Sequence, residues 1–146
     1  MKINTNGNLY TFMYASVMVI VVAAGLAFTA MKLQPLQEKN VRVEKMQNIL
    51  ESIGVEVTFE NAEELYSQYI KKEFLVNTKG ELIEGDAFST DLKSQARADD
   101  EDKKLPIFYA ELEDGSKKTI IPLIGKGLWG PIWGYMALDE DYNTIY

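Results

Sequence analysis

Residues 105–124, LPIFYAELEDGSKKTIIPLI, decide the fold of most of this chain. β-Branched and aromatic residues are frequent in both arms, 105–112 and 117–124, and Glu-Asp-Gly-Ser lies between them at 113–116. Asp-Gly between two such runs is a strong short-range signal for a β-hairpin, because glycine adopts the backbone angles of a tight turn. The segment therefore predicts two antiparallel strands and a sheet-containing domain.

The sequence before this hairpin predicts two helices. Apolar residues recur at helical spacing between Pro35 and Gly54, which indicates an amphipathic helix. Pro35 is expected to mark the exit from an earlier helix, and Gly54 to stop this one. Asn61 followed by Glu64 resembles a capping pair, and it predicts a second helix over residues 62–72.

A shorter hairpin and a surface segment are expected between the second helix and the main hairpin. Strand-like runs at 73–76 and 81–84 flank the turn sequence Asn-Thr-Lys-Gly at 77–80. Residues 85–104 are polar and predict a surface excursion with one or two helical turns. Their acidic run, 99–102, lacks the alternating ligands and central glycine of a Ca²⁺ loop, so a solvated loop is favoured over a cation site.

An apolar stretch at the amino terminus predicts one transmembrane helix. No charged residue occurs from Ile3 to Met31, a run of 29 residues, and about 20 residues span a bilayer core. A cleaved signal peptide is the competing interpretation, but its apolar region is usually only about 7–15 residues long. We expect a retained anchor over residues 1–33 and an α+β domain of antiparallel hairpins and two helices over residues 34–146.

The charges are divided unequally between these two parts. Lys2 and Lys32 flank the anchor, which leaves 13 of the 15 basic residues with all 22 acidic ones in the domain, a net charge of −9 there. Such a surface repels nucleic-acid phosphates, so no nucleic-acid partner is expected. The chain has no Cys and no His, which excludes disulfides, thiolate or imidazole catalysis and Cys/His metal sites.

Residues 125–134, GKGLWGPIWG, contain four glycines, one proline and both tryptophans of the chain. Glycine lets a backbone approach a ligand or another strand closely, and tryptophan offers a broad apolar face. The segment lacks the G-x-x-x-x-G-K-S/T pattern of a phosphate loop, and Pro131 argues against a following helix. Two interpretations stay open, a tight core-forming turn and the wall of a ligand site. A strand is expected to resume at 135–138, with a turn at 139–143 and a further strand from Thr144.

These segments together resemble a known family. The stretch IIPLIGKGLWGPIWGYMALDEDYNTIY at 120–146, the helix VEKMQNILESIGV at 43–55 and the anchor are similar to the C subunit of the bacterial Na⁺-translocating NADH:quinone reductase. The GLW form of the loop favours this family over the related G subunit of the Rnf electron-transport complex. The resemblance implies an electron-transfer subunit of a Na⁺-exporting reductase in the bacterial inner membrane, with other membrane subunits and the bilayer as partners.

The resemblance also implies a flavin cofactor. In the family, FMN is joined through its phosphate to a threonine in a Ser-Gly-Ala-Thr-x-Thr motif, which does not occur here. The family continues beyond the position of Tyr146, so the chain is expected to be part of a longer protein and inactive alone. No attachment residue, catalytic residue or metal ligand is assigned. The GLW turn carries over as one expected wall of the flavin site, formed by Gly127, Leu128, Trp129 and Gly130.

The membrane side and the function class each have an alternative. Four basic residues follow the apolar stretch of the helix: Lys32, Lys39, Arg42 and Lys45. Counted by the positive-inside rule, these residues favour a cytoplasmic domain. The family places this domain in the periplasm, and we follow it because the rule weakens for long domains. The alternative function is a signal-anchored binding or assembly module without a redox cofactor. A hydrolase is least favoured, since no two carboxylates have a recognisable catalytic spacing.

Overall fold

The computed structural model describes residues 7–146. Their helices and strands are α1 Asn8–Glu51, α2 Ala62–Tyr69, β1 Ile70–Val76, β2 Leu82–Ile83, α3 Leu92–Gln95, β3 Leu105–Glu111, β4 Lys117–Gly127 and β5 Gly130–Leu138. The chain divides into two compact units, Met1–Val41 and Arg42–Tyr146. The part of the predicted anchor that precedes residue 7, including Lys2, lies outside the described residues.

The first unit contains the apolar part of α1. By length and composition this helix can cross a membrane, and none of its most apolar stretch is buried. Large side chains such as Phe12, Ile20 and Leu26 are mostly exposed. Removing apolar surface from water is favourable by about 25 cal/mol per Å², so this surface has the character expected of a lipid-facing helix.

Pro35 does not end the helix, so the predicted break at this residue is wrong. α1 is continuous from Asn8 to Glu51 with Pro35 inside it. Proline removes one backbone hydrogen bond and costs about 3 kcal/mol in a helix interior. Strong helix-favouring segments lie on both sides, and the Gln34 side chain donates to Glu38 across the proline at 2.8 Å.

The second unit, Arg42–Tyr146, has one hydrophobic core. Among its buried members are residues from the last turns of α1 and from the strands β3, β4 and β5: Val43, Met46, Ile49, Leu50, Phe108, Ala110, Ile120 and Ala137. α2 and β1 contribute Ala62 and Leu75. The α1 members recur at helical spacing and the β3 members at alternate positions, so each element buries one face. The predicted α+β fold class is confirmed.

The five strands form one antiparallel sheet in the order β2-β1-β3-β4-β5. The main hairpin is confirmed as β3–β4, with Glu111 opposite Lys117 and Gly115 at a φ of +82° in its turn. The shorter hairpin is confirmed as β1–β2, with Leu75 opposite Ile83. The polar excursion between β2 and β3 contains the single short helix α3.

Helix α2 is shorter than predicted. It ends at Tyr69, and Ile70 begins β1, where it pairs with Ala110 of β3. This pairing overrides the helical spacing that predicted a helix to residue 72. The predicted cap is also wrong in detail, because the Asn61 side chain makes no bond to the helix and instead accepts from the backbone N–H of Thr58 at 2.7 Å.

Candidate functional site

β4 and β5 form a hairpin that extends past the point where β4 pairs with β3. The β3–β4 ladder ends at Ile120, whereas the β4–β5 ladder continues to Gly127 opposite Gly130. Pro122 explains why the β3–β4 ladder ends first. Alternate residues of β4 direct their backbone groups towards β3, and the next such residue after Ile120 is Pro122, which has no N–H to donate. We call residues 121–134 the hairpin arm.

The arm ends in a two-residue turn made by Leu128 and Trp129. Gly130 has a φ of +149°, which residues with a side chain rarely adopt. A Cβ placed on Gly127 would lie 2.9 Å from the carbonyl oxygen of Gly130. The turn therefore requires glycine on both sides of its Leu-Trp pair.

The turn side chains point away from any core. Leu128 is 93% exposed and Trp129 is 97% exposed, so the interpretation as a core-forming turn is wrong. A two-residue turn places its side chains beyond the last paired residues, and β5 accordingly begins at Gly130 rather than at Tyr135. The structure brings the four predicted site residues together at the tip of the arm, and their contact with a flavin stays a prediction.

Exposed apolar side chains continue down the arm, and the sequence pattern had not assigned them to the site. These are Leu123, Ile124, Ile132 and Trp133. The Lys93 ammonium of α3 lies 4.2 Å from the centroid of the Trp133 ring, within cation–π range. The sequence signal for these residues is the presence of two Trp residues in one short segment. The contact between Lys93 and Trp133 joins residues far apart in the sequence, so a local pattern does not predict it.

Gly127→Ala is expected to distort the tip, because the new Cβ meets a backbone oxygen, which cannot swing aside as a flexible side chain can. We expect a loss of about 1–3 kcal/mol in unfolding free energy and altered amide shifts around the turn. Gly125→Ala is the matched control, since its Cβ would be 3.6 Å from its nearest neighbour, the Ile132 side chain. Equal effects of the two substitutions in urea unfolding and NMR would contradict the tip geometry.

The segment after β5 is a tightly bonded turn, as predicted. The Asp141 carboxylate accepts from the Thr144 hydroxyl at 2.6 Å and from the backbone N–H groups of Asn143 and Thr144 at 3.0 and 2.9 Å. These bonds, the Thr144 hydroxyl foremost, lower the pKa of Asp141 to about 2. In the region of the strand predicted from Thr144, the described chain has the bridge of Ile145 with Leu138.

Lys118 of β4 links the turn after β5 to the sheet. Its side chain is almost fully buried, and its ammonium donates to Asp139 at 2.5 Å. The same ammonium lies 3.8 Å from the centroid of the Tyr146 ring. The hydrogen bond to Asp139 raises the pKa of Lys118, which favours the ammonium form that holds the turn in place.

A second charged group, Lys45 of α1, supports the loop around Phe88. Its ammonium donates to the backbone oxygen of Phe88 and, at 3.2 Å, to that of Thr90. Burial lowers the pKa of Lys45, and the nearby Asp86 carboxylate opposes that effect. Because its hydrogen bonds go to backbone carbonyls, we assign Lys45 a structural role.

Acidic side chains do not converge on a cation site in the part of the chain that the structure describes, where no three metal-ligating groups come together. The acidic run 99–102 is exposed. Within it, Asp100 pairs with Lys103 at 2.5 Å.

Comparison with known proteins gives relatives for most of the chain, although no protein-family model matches it. The C subunit of the Na(+)-translocating NADH-quinone reductase of Haemophilus ducreyi is 28% identical over 136 positions, which cover 82% of this chain and 53% of the relative. The corresponding C subunit of Vibrio vulnificus is 25% identical over 132 positions, covering 80% and 52%.

A solved structure is similar as well. The crystal structure of the C subunit of the Na(+)-translocating NADH-quinone reductase from Parabacteroides distasonis matches with 46% identity and a TM-score of 0.71, covering 78% of this chain and 55% of that chain. This chain thus spans about half the length of the relatives it matches. The sequence and fold comparisons together identify it as a homologue of the C subunit of the Na⁺-translocating NADH-quinone reductase.

Proposed function

We propose that this chain acts as a membrane-anchored electron-transfer subunit of a Na⁺-translocating NADH:quinone reductase. The observation that carries the proposal is the 46% identity to the Parabacteroides distasonis C subunit over 78% of the chain. The match covers 78% of the chain, and helix α1 accounts for only 44 of the 146 residues. Even if the match includes all of α1, it therefore includes most of the folded domain. The proposed partners are the other membrane subunits of that reductase.

We further propose that α1 spans the bacterial inner membrane and that the domain lies in the periplasm. The exposed apolar surface of α1 supports the first part, and the family resemblance supports the second. A reporter enzyme that is active only in the periplasm, fused after residue 60, is expected to give activity in cells. A signal only from a reporter that requires the cytoplasm would contradict this side of the membrane.

We propose that the tip of the hairpin arm forms one wall of an FMN site. Leu128 and Trp129 present an apolar and aromatic surface that nothing in the described chain covers. The flavin ring is planar and largely apolar, and an aromatic face pairs with it by stacking. Gly127 and Gly130 carry no side chain, which leaves the backbone of the tip open to close approach.

The tip fits the ring of the flavin but not its phosphate attachment. The family's Ser-Gly-Ala-Thr-x-Thr motif is absent from the sequence, so the threonine linkage is assigned to no residue here. FMN, when bound, supplies one- and two-electron transfer. The residues of this chain would exclude water from one ring face and set its surroundings, and Lys93 would steady the arm through Trp133. No residue of this chain is proposed to transfer a proton.

Trp129→Ala tests the wall directly, in a reductase purified through a tag on this chain. We expect NADH:quinone activity to fall by about twofold to tenfold, equivalent to the ~0.5–1.5 kcal/mol of an aromatic contact, while the subunits still co-purify. Lys126→Ala is the matched control, since it removes a large neighbouring side chain and leaves the tip. Full activity in Trp129→Ala, or an equal loss in the control, would contradict the wall.

A further inference from the structure

We propose that residues 86–93 form a strap that couples the end of α1 to the hairpin arm, so that the position of the arm depends on contacts made at α1. Phe88 holds one end of the strap and Lys93 the other. The proposal concerns positions within the folded unit, and it rests neither on flavin binding nor on the proposed electron transfer. Three observations carry it: the packing of Phe88, the bonded turn that follows it, and the contact of Lys93.

Phe88 is held against α1 and α2 by both its ring and its backbone. The ring meets that of Tyr66 edge to face, with centroids 5.5 Å apart. The Arg42 guanidinium and the Lys45 ammonium lie 5.3 and 5.0 Å from the Phe88 centroid, within cation–π range. The same ammonium donates to the backbone oxygens of Phe88 and Thr90. These contacts fix the first end of the strap to the helices.

The strap is short and bonded within itself. The Asp86 carboxylate accepts from the Ser89 N–H at 3.1 Å and from its hydroxyl at 2.5 Å, and the Asp86 backbone oxygen accepts from the Thr90 hydroxyl at 2.9 Å. Asp91 then caps α3 by accepting from the Lys93 N–H at 3.1 Å. Side-chain bonds of this kind hold a turn in one conformation. A displacement at one end of the strap is therefore passed on to the other end.

Lys93 holds the second end of the strap against the arm. Its ammonium lies 4.2 Å from the centroid of the Trp133 ring. Side chains at alternate positions of a strand share a face, so Trp133 lies on the same face of β5 as Tyr135 and Ala137. Ala137 belongs to the core that the last turns of α1 help to form. The strap therefore contacts the arm on the face of the sheet that packs against the helices.

The position of the arm can be changed by a contact of modest strength. β3 gives the arm no support beyond Ile120, and a two-stranded hairpin is only marginally stable by itself. A cation–π contact at an exposed site changes an equilibrium by about twofold to fivefold. The Lys93 contact is thus strong enough to favour one position of the arm.

Phe88→Leu tests the coupling from the α1 end, with Lys93 as the reporter. In NMR spectra of the full chain in detergent micelles, the ring current of Trp133 is expected to displace the Lys93 side-chain signals upfield. Leucine keeps apolar bulk but offers no ring to Arg42 and Lys45, so this displacement should fall by at least half, although Lys93 and Trp133 are unaltered. Phe88→Tyr keeps the ring and is expected to retain the displacement.

Ile53→Ala is the matched control for loss of stability. Ile53 is buried in the same core and is not one of the residues that hold the strap. The substitution is expected to speed amide exchange throughout the unit and to leave the Lys93 signals displaced.

The reciprocal experiment serves if Phe88→Leu does not fold. Coupling between two sites acts equally in both directions, so Lys93→Met is expected to shift the ring signals of Phe88. Lys93 is exposed, so its replacement leaves the core intact. Lys104→Met is the matched control, because Lys104 is an exposed lysine at the end of the same polar segment, and it should leave these signals unchanged.

Amide exchange in the arm measures the coupling independently. Phe88→Leu and Lys93→Met are each expected to speed exchange at Ile132 and Gly134, which pair with β4, by about twofold to fivefold relative to the amides of β1. The double variant should exceed the larger single effect by less than twofold, because release of either end already frees the strap. Independent contacts would instead multiply their effects.

Any of three results would overturn the proposal. In the first, a folded Phe88→Leu variant leaves the Lys93 signals displaced or, in the reciprocal experiment, Lys93→Met leaves the Phe88 ring signals unchanged. In the second, Ile53→Ala removes the displacement as fully as Phe88→Leu does. In the third, the two effects on amide exchange multiply in the double variant.

Discussion

Phe108→Ala is expected to lower the unfolding free energy of the Arg42–Tyr146 unit by about 3–5 kcal/mol. Phe108 is fully buried in the middle of β3, opposite Ile120 of β4. Its ring meets that of Tyr135 edge to face, with centroids 6.0 Å apart. The substitution leaves a cavity where three strands meet, and a domain of this size has only about 5–15 kcal/mol of stability to lose.

Urea unfolding in a non-ionic detergent, followed by near-ultraviolet circular dichroism, measures this loss. Leu82→Ala is the matched control, because Leu82 lies in β2 and is largely exposed, and we expect it to cost less than about 1 kcal/mol. The two losses should differ several-fold. Similar losses for Phe108→Ala and Leu82→Ala would mean that the core does not centre on β3.

The double substitution Val19→Arg and Val22→Arg is expected to release the chain from the membrane. Both residues lie in the most apolar part of α1 and are exposed in the described chain. Arginine near the centre of a membrane helix costs about 2.5–3.5 kcal/mol on insertion scales, so the pair costs about 5 kcal/mol or more. The amino-terminal apolar surface is then too weak to hold the helix in lipid.

Extraction of membranes with alkaline carbonate distinguishes integral from released protein. The parent chain is expected to stay in the pellet and the double variant to move to the supernatant. Val41→Arg on the same helix is the control, because Val41 lies outside the long uncharged run that ends at Met31, and it should stay in the pellet. A double variant that also stays would contradict the anchor.

Local signals in the sequence predict the sheet domain well where turn chemistry and side-chain pattern agree. Asp-Gly at residues 114–115 joins two strand-like runs, and the β3–β4 hairpin follows. Pro35 shows the limit of such signals, since a single proline is a strong local helix breaker but its cost is small beside two favourable flanking segments. Ile70 shows another limit, because its spacing suits a helix and its partner Ala110 lies in a distant strand.

The hairpin arm was harder to predict for a physical reason. Its strands contain four glycines and two prolines between Ile121 and Gly134, residues that ordinarily mark turns rather than strands. Here Pro122 stands where β4 has no partner in β3, and Pro131 stands in β5, the last strand of the sheet in the described chain. Both positions tolerate a missing N–H. The composition therefore suggested a compact turn, while the structure has a paired arm with an exposed Leu-Trp tip.

Purification of the tagged chain from its native membranes in mild detergent tests the proposed function most directly, with the co-purifying proteins identified by mass spectrometry and quinone reduction by NADH measured with and without Na⁺. We predict that the other reductase subunits and a Na⁺-stimulated activity purify with the chain. A chain that purifies alone, or with partners that have no redox activity, while the reductase is recovered without it, would contradict the proposed function.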